Sequence, residues 1–220
     1  MRRLSTVFMF AALALGLPLL ANARDGDIDK INGAARVEAG QQAGDVSTIN
    51  GAVYIGAGAT IEDASTVNGA VNLGEKAQAK GLETVNGAIR LGSESRVSGN
   101  VEAVSGSISL ARGADVGGRI ENVNGTITLD AAHVGGGIET VSGDITVGAN
   151  SRVEGGILID KVSGWFSNSN HRTPVVVIGP HAVVQGTLEF RREVELKVSD
   201  SAQIGTVKGA TVVKFSGEKP

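Results

Sequence analysis

The sequence predicts an all-β chain folded as a single-stranded parallel β-helix, a solenoid of about ten coils of 18–19 residues. Three observations predict it. A seven-residue phrase recurs, as in Val67-Asn-Gly-Ala-Val-Asn-Leu73, Val85-Asn-Gly-Ala-Ile-Arg-Leu91 and Val123-Asn-Gly-Thr-Ile-Thr-Leu129, with its glycines 18, 18, 18, 19, 19, 18 and 21 residues apart. A fixed period of this size marks a repeat architecture. Inside each phrase, runs such as Val-Tyr-Ile and Ile-Thr-Leu alternate with strand period, so every second side chain turns to a core. Finally, 32 of the 220 residues are Gly and only 3% are aromatic. That composition suits a thin core of small side chains in rows.

Other totals set exclusions. The chain has no cysteine, which removes disulfides, thiolate metal sites and a lipid-anchored N-terminal cysteine. A formal charge of -3, without a long run of one sign, gives no electrostatic footprint for nucleic acid.

Residues 1–23 have the form of a secretory signal peptide. Arg2 and Arg3 precede an uncharged run from Val7 to Leu20, and Ala21-Asn22-Ala23 is a small-x-small cleavage site. The run is shorter than the roughly 20 residues that span a bilayer. The expected product is periplasmic, cell-surface or extracellular, not a lipoprotein, with no transmembrane span once the leader is removed.

The β-helix is expected over 24–215, beginning with an acidic lead-in (Asp25, Asp27, Asp29). Regular coils occupy 28–164. Within them Ile28, Val46, Leu82, Val101, Ile120 and Ile138 precede each phrase by three residues, and Ile61, Ala79, Val97, Val116, Val134 and Val153 fall midway. These positions, with the first residue of each phrase (Val85 and Val123 among them), are expected to point inward. Stacking like positions about 4.8 Å apart gives parallel ladders and a continuous apolar column. Nothing in the array recurs at helical spacing, so no helix is expected after the leader.

Stacking also accounts for the polar rows. Asn32, Asn50, Asn68, Asn86 and Asn124 are expected in one column, with Ser105, Ser142 and Ser163 as substitutes. The glycines that follow form the next column, where Asn-Gly and Ser-Gly tolerate the positive φ of a corner. Stacked amides can bond along the axis. A further column is expected from Glu83, Glu102, Glu121 and Glu139, continued by Asp160 and Glu189. Like charges one rung apart repel by roughly 1 kcal/mol even at water's dielectric constant. A solvated edge accounts for such a row more simply than a stripe for divalent cations or a basic partner. The Gly-Gly-x-Gly-x-Asp calcium repeat is absent, so no metal site is assigned.

The beat breaks after Val162. Residues 165–174, with the only Trp at 165, are loop by composition. Coils resume at 175–215, where Phe190, Phe215, Arg191 and Arg192 suit a terminal cap, and 216–220 form a tail.

The pattern Leu-Gly-x-x-Ala/Ser-x-Val-x-Gly-x-Ile/Val-Glu at 91–102, with its counterpart at 178–189, resembles the bactofilins. It is also similar to bacterial β-strand-repeat adhesin families. The likeness covers about residues 28–210. It implies a β-helical, polymer-forming protein with no catalytic residues to carry over. Bactofilins usually lack a signal peptide, and the leader here implies a different cellular address.

Two enzyme classes also use such coils. Ile49, Ile55, Ile61 and Val67 keep a six-residue beat similar to left-handed hexapeptide acyltransferases, and His181 mimics their base. Later coils run to 19 residues, however, and parallel crossovers favour the right hand, so a right-handed coil is the expectation. Polysaccharide lyases and hydrolases need acidic and basic residues on long loops. Asp115, Asp130 and Asp144 stand in different contexts, and His133 and His171 have no evident acidic partner. No catalytic, cofactor-binding or metal-binding residue is assigned, and no cofactor is expected. The expected function is an exported, non-enzymatic scaffold that forms a homo-oligomer through its coil ends. The alternatives are a surface adhesin with a cell-envelope or glycan partner, or a carbohydrate-active enzyme. The N-terminal end is the expected contact, the C-terminal end being covered by its loop, Phe190, Phe215 and charged tail.

Overall fold

In the computed structural model, residues 26–161 and 172–217 are described. The leader, residues 162–171 with Trp165 and His171, and residues 218–220 lie outside the described residues. The described chain is all-β, without helix, and winds into a parallel β-solenoid of about nine turns. Two faces are ten-stranded sheets, one running from Ile28–Asn32 to Val207–Lys208 and the other from Ala35–Val37 to Val212–Phe215. The third face is a seven-stranded sheet of two-residue strands, extended toward the N-terminus by the bridges Gln42↔Thr60 and Thr60↔Gln78.

Register puts like on like. Val101 pairs with Ile120 on the first face, Ile108 with Ile127 on the second and Val97 with Val116 on the third. All six are buried. Each large aliphatic residue so placed contributes about 1.5–3 kcal/mol, and the continuous column replaces the bulky core of a globular domain. The inward assignment of Val46, Leu82, Ile138, Ile61, Ala79, Val134 and Val153 holds. The second face keeps its register on either side of residues 162–171, with Val147 paired to Ile178.

One expected inward column faces outward except at Val141, which is buried. Val85 and Val123 are half-exposed, as are Ile49, Val67 and Val104, while Ile31 is 57% exposed. The buried residue is the one before each: Thr48, Thr66, Thr84, Ala103 and Asn122. Strand alternation from Leu82 makes Thr84 inward and Val85 outward, and the hydroxyl is accommodated by a hydrogen bond. Thr48, Thr66 and Thr84 donate through Oγ1 to the carbonyls of Gly33, Gly51 and Gly69, one coil back, at 3.1, 2.9 and 3.1 Å. Asn122 Nδ2 does the same to Gly106 at 2.9 Å. Thr140 Oγ1 is buried without a partner.

The glycine column has a second cause besides the expected one. Gly51, Gly69, Gly87 and Gly143 lack positive φ. A Cβ at any of them would run into the carbonyl oxygen of the glycine one coil before. The column is glycine because coils approach backbone to backbone there. Positive φ occurs in this column at Gly33, Gly106 and Gly125 (+92°, +158° and +137°), and at Gly33 it is the constraint, since a Cβ there would meet nothing within 4 Å. A second column has positive φ throughout: Gly40, Gly58, Lys76, Glu94, Gly113, Ala131, Asn150 and His181, with φ between 44° and 74°. Apart from Ala131, each sits third in a tight turn such as the one closed by Ala59 N–H on Gly56 O at 3.2 Å, where a type II turn requires a left-handed residue. His181 is thus an exposed turn residue.

The asparagine ladder is present. Asn50, Asn68 and Asn86 each donate Nδ2–H to Oδ1 of the asparagine one coil back, at 3.2, 3.1 and 3.2 Å. Ser105 occupies the next rung, and Asn124 follows it in register.

The C-terminal end differs from the expected cap. Phe190 lies in the core beside Ile159, not over the end. Arg191 pairs with Glu189 and Asp160, and Arg192 donates to Val141 O and Ser142 Oγ, so both brace the corner beside the insertion. The inward residues of the last coil, Ile204, Val207 and Val212, are only partly buried, and Val213 is 53% exposed. Among the described residues nothing packs over this end.

Candidate functional site

The outward side of the first face carries the densest unusual chemistry. Strand alternation turns Glu83, Glu102, Glu121 and Glu139 outward while Leu82, Val101, Ile120 and Ile138 go inward. Register stacks the four glutamates directly, Glu83 on Glu102, Glu102 on Glu121 and Glu121 on Glu139. The expected continuation through Asp160 is corrected: Glu139 pairs with Leu158, and Leu158 with Glu189. Asp160 stands two residues beyond Leu158, where Arg191 reaches it at 3.4 Å.

The column is not a freely solvated edge. All four carboxyls are held above the ordinary glutamate range, chiefly because partial burial disfavours the charged form. Neighbouring carboxylates add to this: Glu102 and Asp63 at Glu83, Glu102 and Glu139 at Glu121, and Asp160 at Glu139. Few groups oppose this. Asn100 Nδ2 donates to Glu102 at 3.2 Å, Arg119 acts on Glu121 and Glu139, and Arg191 acts on Glu139. Glu121 is only 7% exposed. On one flank run the half-exposed Val85, Val104 and Val123. Beyond Glu139 the column opens into a groove of about 320 Å³, walled by Arg119, Glu139, Leu158 and Glu189 over glycine backbone at 136–137 and 155–156.

These shifts fix a pH dependence. A carboxyl whose folded pKa is raised contributes stability that is present below its unfolded value, about 4.3, and is lost as pH rises through the folded value. Glu121→Gln is therefore expected to raise the melting temperature at pH 7 and to leave it nearly unchanged at pH 4. Paired thermal melts at the two pH values check this, and an equal shift at both would remove the account.

A second cluster overturns the expectation that His133 lacks an acidic partner. On the third face Asp115 stacks on His133, one coil apart, with His133 Nδ1 2.6 Å from Asp115 Oδ1 and Nε2 3.5 Å from Glu154 Oε1. Arg96 holds Asp115 at 3.1 Å and Arg152 holds Glu154 at 3.4 Å. Each charge in this row is already matched, so the row straps coils together. Asp144 is similarly engaged, accepting from Arg172 Nη1 at 2.7 Å and Val175 N at 2.9 Å where the chain re-enters the coil. Asp130 is exposed and joins neither group.

No family model, curated protein or solved structure matches the chain. Among the described residues no group of three or more His, Asp or Glu side chains is placed to hold a metal ion, and no helix is long and apolar enough to cross a membrane. Chemically, the glutamate face offers a row of desolvated carboxylates to a cation.

Proposed function

We propose that the chain is a non-enzymatic structural rod of the cell envelope, exported by its leader, which self-associates through its coil ends. One observation carries the reading: among the described residues, Ile204, Val207 and Val212 of the last coil are only partly covered beside the edge strands Val207–Lys208 and Val212–Phe215. An open sheet edge next to uncovered core is a template for another chain, and a second copy meeting it end to end gives an isologous contact. This moves the favoured contact from the N-terminal to the C-terminal end. The resemblance to polymer-forming bactofilins points the same way.

Light scattering at physiological salt tests the proposal. The full chain is expected to gain mass with concentration, and Val212→Lys, which places a charge on the uncovered end, is expected to stay monomeric. A concentration-independent monomer for both proteins overturns end-to-end assembly. The carbohydrate-active alternative has the Asp115–His133 pair in its favour, although flanking charges occupy both residues. Turnover of uronate polymers that disappears in Asp115→Asn would replace the scaffold reading.

A further inference from the structure

We propose that Asn124-Gly125 is a self-modification site, where the side-chain amide is lost to give aspartate and isoaspartate. The coil ladder holds the four other Asn-Gly pairs against the same reaction. The inference does not rest on end-to-end assembly. Asn-Gly occurs five times, at 32–33, 50–51, 68–69, 86–87 and 124–125. Glycine after asparagine favours this chemistry, because no Cβ blocks the approach of its nitrogen to the side chain.

The step needs only the chain and water. The backbone nitrogen of Gly125 gives its proton to solvent and bonds to Cγ of Asn124. The Cγ–Nδ2 bond breaks, and Nδ2 takes up a proton and leaves as ammonia, closing a five-membered imide. Water then opens the imide at either carbonyl. One opening gives aspartate. The other gives isoaspartate, in which the main chain runs through the former side chain.

Four of the pairs lack a free nitrogen. Gly33, Gly51, Gly69 and Gly87 donate N–H to the carbonyls of Asn50, Asn68, Asn86 and Ser105, one coil on, at 2.9, 3.1, 3.0 and 2.9 Å. The nitrogen that would attack is aimed along the rod axis and keeps its proton. The side chains are held as well, since Asn32, Asn50, Asn68 and Asn86 are joined through their amides. Reaction at any of these requires the corner to open first.

The fifth corner is undone from the coil that follows it. Among the described residues, Gly125 N–H has no acceptor and the Asn124 side chain makes no hydrogen bond. Two further observations mark the same break. Thr84 and Asn122 each donate to the glycine carbonyl one coil back, at 3.1 and 2.9 Å. Thr140 follows Asn122 in register, yet its Oγ1 is buried without a partner. The pairing of these two strands also stops at Asn122 on Thr140, whereas every earlier pairing on this face includes the asparagine column. Asn124 is exposed, so solvent reaches its Cγ. Either product places a carboxylate at this corner. Isoaspartate also lengthens the main chain between Ile120–Asn124 and Ile127–Leu129.

Peptide mass spectrometry of the full chain at mildly alkaline pH, folded and in urea, tests the proposal through the mass gain that marks loss of an amide. In the folded chain Asn124 is expected to react about tenfold or more faster than the four other sites, where two or more hydrogen bonds must break first. In urea the five sites are expected to react at similar rates, each being only an Asn-Gly dipeptide. Asn124→Ser copies the rung at Ser105 and is expected to fold, as melting checks, and to lose the fast phase. Equal rates at all five sites of the folded chain would overturn the proposal. So would an inert Asn124 in folded chain while the urea sample converts, the same preference for Asn124 in urea, or a fast phase that survives in Asn124→Ser.

Discussion

Gly69→Ala is expected to melt far below the wild type, with a loss of about 3 kcal/mol or more. The added Cβ would meet the carbonyl of Gly51 and the amide of Ala52. Both are backbone, so no side chain can swing aside. The corner is held from the next coil as well, since Gly69 N–H donates to Asn86 O at 3.0 Å and Gly51 N–H to Asn68 O at 3.1 Å. Relief requires two coils to separate, which would break ladder bonds on two faces and open the column beneath. Gly58→Ala is the informative comparison. Its Cβ would meet nothing within 4 Å, but its φ of +66° makes an L side chain strained, a cost of about 1–2 kcal/mol. Melting followed by circular dichroism is expected to rank Gly69→Ala well below Gly58→Ala. Equal, small shifts would mean that the coils give way at this corner and that the Gly51 carbonyl does not hold the position to glycine.

These two glycines show where the amino-acid sequence is legible and where it is not. A steric demand repeated at one rung admits only Gly, so the Gly51–Gly69–Gly87 column is visible as a spelling, although its cause is a carbonyl one coil away. The left-handed turn tolerates Gly, Lys, Glu, Ala, Asn and His, because its residue projects into open solvent and only the backbone is constrained. No letter repeats, and the column stays hidden. Phase at the first face is ambiguous in the sequence for a related reason. Thr and Val have nearly the same shape, so the pair Thr84-Val85 presents two β-branched candidates for one inward position. What decides is the carbonyl of Gly69, a partner 15 residues away. The Asp115–His133 pair and the Leu158 rung are hidden in the sequence because a neighbour in a solenoid is one coil off. Offsets near an insertion mislead unless register is known: Glu139 meets Leu158, 19 residues on, and not Asp160. The period, the three-way alternation and the asparagine ladder needed no such knowledge, since each repeats in phase with itself.

Ile127→Asp is expected to abolish cooperative folding, and Val123→Asp to shift stability by about 1 kcal/mol or less. Ile127 is fully buried and lies in register between Ile108 and Ile145, so a carboxylate there has aliphatic neighbours above and below and no cation to meet it. An unpaired buried charge belongs to the short list of changes that exceed about 4 kcal/mol, and domain stabilities are themselves about 5–15 kcal/mol. Val123 is only four residues away and equally apolar, yet it faces solvent beside Glu121. Asp at that position needs no desolvation and adds a screened repulsion from the glutamate row. A third variant fixes the phase from the other side. Thr84→Asp buries a charge where the residue next to it, Val85, would not, and it is expected to fail as Ile127→Asp does while Val85→Asp folds. Expression, solubility and thermal melts of the four proteins check this. If Val123→Asp and Val85→Asp unfold while Thr84→Asp does not, the first face is turned over, and the glutamate row cannot be an outward face.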